Sequence, residues 1–255
     1  MKEWENHKVK LKAEKITKTF EETKVLDIVS IELKQCEFVS IIGPSGCGKS
    51  TIFNIISGLT KPDSGEVFID GKNYTGKTAR VSYLHQKDLL LPWKRIIDNV
   101  SIPLILKGES RKTSRDKAAA YFELFGLEGF ESKYPHQLSG GMKQRAALLR
   151  TYLFSKDIML LDEPFGGLDA LTKSKMYIWL KKVTEDLKTS VLFITHDVEE
   201  AIFLSDRIYI LSDRPAKIQK EIMINLPLMR GKEIILSNEF IQIKKEILET
   251  MNGLI

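Results

Sequence analysis

Cysteine is scarce in this chain: Cys36 and Cys47 are the only two in 255 residues. They rule out a disulfide framework, and neither has the spacing of a metal ligand. Long apolar runs are missing as well. No stretch reaches the ~18 consecutive apolar residues of a membrane span. The amino-terminal run Met1-Lys2-Glu3-Trp4-Glu5-Asn6-His7 is polar and holds no secretory core, so the chain is expected to stay in the cytosol. A large excess of one charge is also absent. The net charge of +5 is mild and spread along the chain. It suits an anionic membrane face but does not single out nucleic acid, and no nucleic-acid partner is expected. There is no internal repeat and no low-complexity stretch. What remains, 43% hydrophobic and 29% charged residues, is ordinary globular composition, enough for one large α/β domain or two small ones.

One stretch organises the rest. Gly43-Pro44-Ser45-Gly46-Cys47-Gly48-Lys49-Ser50-Thr51 fits the phosphate-loop pattern G-x-x-x-x-G-K-[ST]. Its glycines allow a tight turn in which successive N–H groups face one concavity, as phosphate oxygens require. Lys49 adds a charge for the β- and γ-phosphates, and the Ser50 hydroxyl suits Mg²⁺. The flanks agree. Residues 37–42, Glu-Phe-Val-Ser-Ile-Ile, read as a buried strand, and residues 51–58 read as a helix ending at Gly58, whose first amides favour an anion.

Upstream, Val9, Leu11, Val25, Leu26, Ile28, Ile31 and Leu33 carry the period-two pattern of half-exposed antiparallel strands. Phe20 sits in the turn between them, either as a cap on the core or as a surface on which a nucleotide base stacks. Strands are expected at 66–71 and 81–84, followed by Gln86. The run Leu89-Leu90-Leu91-Pro92-Trp93 is apolar and broken by proline; it is core, or else an exposed partner surface. Helical periodicity dominates residues 96–150, with one helix expected over 112–125. Leu138-Ser139-Gly140-Gly141 then opens a further helix, a second place where backbone amides converge.

An apolar strand at 158–161 ends in Asp162 and Glu163. Next to a phosphate loop, Asp162 is placed to hold Mg²⁺ directly or through water, and Glu163 to polarise an attacking water. Gly166-Gly167-Leu168-Asp169 leads into an amphipathic helix to about Leu187. A third buried strand, 191–195, ends at His196. Residues 198–204 read as a short helix, 207–211 and 218–224 as strands, and 233–251 as a closing helix with Ile241, Ile243, Ile247 and Leu248 as its apolar positions.

Taken together these residues resemble the ATP-binding cassette ATPases, over essentially the whole chain. Residues 43–51 look like Walker A, Gln86 like the Q-loop glutamine, residues 138–142 like the signature motif, residues 158–163 like Walker B with its catalytic glutamate, residues 166–169 like the D-loop, His196 like the switch histidine and Phe20 like the adenine-stacking aromatic. The resemblance implies an α/β fold: a RecA-like phosphate-loop core, an antiparallel β subdomain and a helical subdomain inserted at about 89–150. All 255 residues would form one such domain without a carboxy-terminal regulatory domain. It also implies ATP and Mg²⁺ as cofactors. Residues 43–51, Phe20, Gln86, Leu138, Ser139, Gly140, Gly141 and Asp169 would contact nucleotide, Ser50, Gln86 and Asp162 would surround the metal, and Lys49, Glu163 and His196 would be catalytic.

A finer similarity, carried by residues 90–93, 98–100 and 211–218, points to bacterial importers of nitrate, sulfonates, taurine and pyrimidine precursors. Such a subunit would work at the cytoplasmic face of the membrane with a second copy of itself, two membrane permease subunits and, indirectly, an extracytoplasmic solute-binding protein. The chain departs from the usual pattern at Cys36, where a glycine normally precedes the glutamate, and in the tail Leu226-Pro227-Leu228-Met229-Arg230, which lacks a second proline. Competing readings are an exporter ATPase, a soluble cassette ATPase of translation or DNA repair, and a phosphate-loop kinase. The signature stretch argues against the last. The soluble ATPases usually carry two cassettes or a long coiled-coil insertion, and neither is present.

Overall fold

The computed structural model describes residues 8–227 and 230–253. Met1 to His7, and Leu228 and Met229 of the tail motif, lie outside the described residues. The chain separates into two compact units, one made of Met1–Arg80 with Lys188–Ile255, the other of Val81–Leu187. The second unit contains the expected helical stretch 89–150 and extends beyond it on both sides.

The first unit opens with β1 (Val9–Phe20) and β2 (Thr23–Lys34), an antiparallel pair. Next come β3 (Phe38–Ile42), α1 (Lys49–Ile56), β4 (Ser64–Ile69) and β5 (Lys72–Asn73), and one sheet has the order β2-β1-β4-β5. The alternation in β2 is not continuous. Ile28, expected to face inward, is 64% exposed at φ 56°, and Val29 takes the buried position. The pairing register between β1 and β2 shifts there, as a bulge requires: one inserted residue flips every later side chain to the other face.

The second unit holds β6 (Ser82–Leu84), α2 (Ile96–Leu106), α3 (Arg111–Ala119), α4 (Gly140–Phe154), β7 (Ile158–Asp162) and α5 (Ala170–Asp186), with β6 parallel to β7. The helix expected over 112–125 ends early, at Ala119. Overlapping turns carry the chain on to Gly126, whose φ of 63° closes the segment and lets Phe122 and Phe125 both reach the core.

Back in the first unit come β8 (Ser190–Ile194), α6 (Val198–Leu204), β9 (Arg207–Leu211), β10 (Ile218–Met223) and α7 (Asn238–Asn252). β3 lies between β8 and β9, parallel to both, and β10 runs antiparallel along β9. Every residue of β3, β8 and β9 is buried, which is why these strands read as unbroken apolar runs instead of alternating ones. Arg207 fastens β9 to the start of β3. Its Nε and Nη2 each donate to a Glu37 carboxylate oxygen at 2.9 Å, while burial pushes the Glu37 carboxyl above its ordinary range. The closing helix expected over 233–251 is broken. A 3-10 segment, Lys232–Leu236, precedes α7, and Ser237 caps the helix by accepting from Phe240 N at 3.2 Å. Phe240 and Ile247 are its buried residues among those described; Ile241 and Leu248 are exposed.

Cys36 adopts φ 57°, which explains why glycine is the usual residue there. The left-handed conformation costs an L-residue roughly 1–2 kcal/mol, and glycine returns part of that as unfolded-state entropy. Cys36→Gly is therefore expected to raise the melting temperature by about 1–4 °C. An unchanged or lower value in a thermal melt would contradict the strain argument.

Candidate nucleotide-binding site

In the first unit the turn from β3 to α1 is the phosphate loop. Gly48 precedes α1 at φ 126°, and a Cβ there would lie 2.9 Å from Val25 Cγ1 and Leu26 Cδ2. No side chain fits, so the backbone alone approaches whatever the loop holds. No side chain caps the α1 N-terminus, so its first amides are available to an anion. Lys49 is only 6% exposed, and its Nζ donates to Gly43 O at 2.9 Å and Pro44 O at 2.8 Å. These bonds keep the ammonium over the loop. Ser45, Gly46 and Ser50 are exposed, while Pro44 and Thr51 are half-buried. Cys47 is buried, and burial pushes its thiol up against the opposing pull of Lys49. It is a packing residue, not a nucleophile.

Phe20 ends β1 with half its surface exposed, and Lys18 Nζ lies 5.3 Å from its ring centroid. His196 is exposed just past β8. Its neighbours fix that turn: Thr195 Oγ1 accepts from Asp197 N and donates to buried Glu200, and Asp197 caps α6 through the amides of Glu199 and Glu200.

In the second unit the acids close β7. Asp162 is 8% exposed, and its Oδ2 accepts from Tyr83 Oη at 3.1 Å. Burial, then the Asp162 charge, drives the Tyr83 hydroxyl well above the ordinary phenol range, so it keeps its proton and donates it. Glu163 takes φ 44°, a conformation rare for any residue with a side chain. Gln86 Nε2 donates to Glu163 Oε2 at 3.3 Å.

The signature stretch and residues 166–169 also meet in this unit. Ser139 caps α4, accepting from Met142 N at 3.3 Å, and Leu138 is buried. A Cβ on Gly140 would lie 3.2 Å from Leu168 Cδ2, and one on Gly141 3.2 Å from Thr172 Cγ2. Asp169 caps α5, accepting from the amide and hydroxyl of Thr172 at 3.0 and 2.6 Å, bonds that hold its carboxyl below the ordinary range. The site residues thus fall into two sets: Phe20, residues 43–51 and His196 in the first unit, Gln86, residues 138–141, Asp162, Glu163 and Asp169 in the second.

The sequence profile of the ABC transporter family matches residues 26–166, more than half of the chain. The chain belongs to the ABC transporter family. This cassette is 42% identical to an aliphatic sulfonates import ATP-binding protein of Bacillus cereus over 226 residues, covering 89% of this chain and 88% of the relative. It is 43% identical to a nitrate import ATP-binding protein of Synechocystis over 218 residues, covering 86% and 81%. The solved dimeric structure of a bacterial ABC transporter cassette superposes with a TM-score of 0.72 at 35% identity, covering 87% of this chain and 99% of that one. The chain is an ATP-binding, ATP-hydrolysing cassette of α/β fold, and its relatives are those of the nitrate and sulfonate importer group.

The donor set of this cassette fits Mg²⁺. Ser50, Gln86 and Asp162 offer hard oxygen ligands, including one carboxylate. Mg²⁺ is normally bound through one or two carboxylates with water and substrate phosphates completing the shell. Sequence reasoning missed Tyr83. It is one residue of a three-residue strand, and its partner Asp162 follows only from the β6–β7 register, in which Leu84 lies opposite Leu161. It also left Arg214 without a role, though the stretch around it was already distinctive.

Proposed function

We propose that this cassette energises an importer of small anionic or organic solutes, of the kind represented by sulfonates, nitrate, taurine or pyrimidine precursors. It would act as an ATP-dependent homodimer on two membrane permease subunits, peripheral to the cytoplasmic face, with an extracytoplasmic binding protein delivering solute. The observation that carries the hydrolytic part is the end of β7. There Asp162 is held by Tyr83, while Glu163 turns away at φ 44° toward Gln86.

In this reading Lys49 and the loop amides bind the phosphates, and Phe20 stacks on the base. Ser50, Asp162 and Gln86 would hold Mg²⁺, which would supply charge neutralisation for the phosphates. Glu163 orients a water and takes its proton as the oxygen attacks the γ-phosphorus and ADP departs. His196 steadies the γ-phosphate. Leu138, Ser139, Gly140 and Gly141 of one copy, with Asp169, face nucleotide bound by the other. Phosphate release from ATP and Mg²⁺ by the purified chain tests the core of this reading. A preparation that binds ATP without releasing phosphate would count against it.

The permease contact is supported by residues 89–93. Arg150 Nη1 donates to Leu89 O at 2.8 Å, and Asn99 bonds both the amide and the carbonyl of Leu91, so the segment is pinned. Yet Trp93 is 70% and Leu89 55% exposed. A fixed, exposed tryptophan is what an interface anchor needs. Beside it Lys94, Ile102, Leu106 and Arg111 line a groove of about 200 Å³ in the same unit. Trp93→Glu is expected to weaken co-purification with the permease at least tenfold while ATP binding persists, a loss within the roughly 2 kcal/mol of a hot spot. Recovery of the complex at wild-type yield would remove this surface from the interface.

A further inference from the structure

The segment 211–217 touches the phosphate loop at two places, and the β2 residue packed over it at a third, within one unit. A Cβ on Gly43 would lie 3.0 Å from Leu211 Cβ and O, so Leu211 backs the start of the loop. Arg214 Nε donates to Gly46 O at 2.5 Å, at the loop's exposed tip. Ala216 N donates to Val25 O at 2.9 Å, and Val25 is the residue that closes over Gly48. The segment is itself braced. Ser212 Oγ donates to Asp213 O at 2.8 Å and accepts from Lys217 N at 2.9 Å, and Asp27 N donates to Ala216 O at 3.0 Å.

Arg214 is therefore delivered to one backbone atom by a held frame. That atom matters because Gly46 C=O and Cys47 N–H belong to one planar, conjugated peptide group. A cationic donor on the oxygen withdraws electron density through the group and makes the N–H at its other end a stronger donor. It also fixes the plane of the peptide from its oxygen end, while the Cys47 N–H at the other end donates to Pro44 O at 3.3 Å, so the peptide and the turn it closes are held together.

We propose that Arg214 is a positioning residue for the nucleotide phosphates, acting through the Gly46–Cys47 peptide. This rests on the reading of residues 43–51 as the ATP phosphate loop. The guanidinium adds a charge to the electrostatics of the loop without lying in the G-x-x-x-x-G-K-S sequence. A lysine cannot replace it fully, since a point charge on a flexible stem lacks the rigid Nε donor.

The test is calorimetric titration of the full chain with ADP, comparing wild type, Arg214→Ala and Arg214→Lys, with thermal melts of each protein without nucleotide. Arg214→Ala is expected to bind ADP roughly 5–20-fold more weakly, part of what a charged hydrogen bond contributes. Arg214→Lys should recover most of that loss, and the melting temperatures should agree to about 2 °C. In steady-state hydrolysis the KM for ATP should rise by more than kcat falls. Equal ADP affinity in wild type and Arg214→Ala would overturn the proposal. So would a nucleotide-free melting temperature that drops equally in both variants, since the contact would then be structural. Wild type that binds no ADP would overturn the phosphate-loop reading, and this inference with it.

Discussion

Lys49→Ala is expected to abolish tight nucleotide binding. The ammonium is nearly buried, and besides the Cys47 sulfur at 4.0 Å it donates to two carbonyls of its own loop, Gly43 O and Pro44 O. Two neutral acceptors do not neutralise a positive charge; a phosphate does. Truncation removes that charge from the loop and also releases both carbonyls that the side chain ties together. Losing one partner of a desolvated charge pair typically costs roughly 2–5 kcal/mol, which is about 30-fold to several thousand-fold in affinity. The α1 amides and Gly48 are untouched, so residual weak binding of ADP is expected. The fold should survive, because the substitution makes a small cavity at a helix start and not in the sheet. Calorimetry with ADP and with ATP reads the loss directly. Affinity within threefold of wild type would show that the loop has another role.

The buried strands and the phosphate loop were legible because their signals are local. Residues 38–42, 190–194 and 207–211 are buried on both faces and predominantly apolar, which is how a central parallel strand is recognised. Glycine positions and the lysine of the loop carry their chemistry in the sequence itself. Less legible were features set by conformation. The bulge at Ile28 reversed the inward and outward faces of β2 midway, and no composition signal marks a β-branched residue at φ 56°. The closing helix starts only after the Ser237 cap, and which of its apolar positions meets the core, Phe240 and Ile247 and not Ile241 and Leu248, depends on packing that a single sequence does not display. Residues 89–93 had two readings from sequence. The backbone of that run is held by Asn99, eight residues on from Leu91, and by Arg150, 61 residues on from Leu89, with Leu90 buried and Leu89 and Trp93 exposed. Tyr83 and Arg214 act through partners more than seventy residues away, across pairings that a single sequence does not display.

Glu163→Gln is expected to separate ATP binding from ATP turnover. Asp162 and Glu163 are neighbours with different partners, Tyr83 Oη for Asp162 and Gln86 Nε2 for Glu163, and under the proposed function the first would serve the metal and the second the water. The substitution keeps the size and the hydrogen-bonding capacity of the side chain and removes its charge and basicity. General-base assistance contributes about 10²–10⁴-fold in rate, and phosphate release should fall by that factor. Lys49, the loop amides, Ser50 and Asp162 are unaffected, so ATP affinity should be retained. If the signature residues of one copy close on ATP held by the other, as proposed, slow hydrolysis traps the closed pair. The decisive measurement is size-exclusion chromatography with light scattering of Glu163→Gln at saturating ATP and Mg²⁺. A stable dimer that returns to monomer when ATP is replaced by ADP is the predicted result. A variant that stays monomeric with ATP, or that hydrolyses it at the wild-type rate, would contradict both the role of Glu163 and the shared two-copy site.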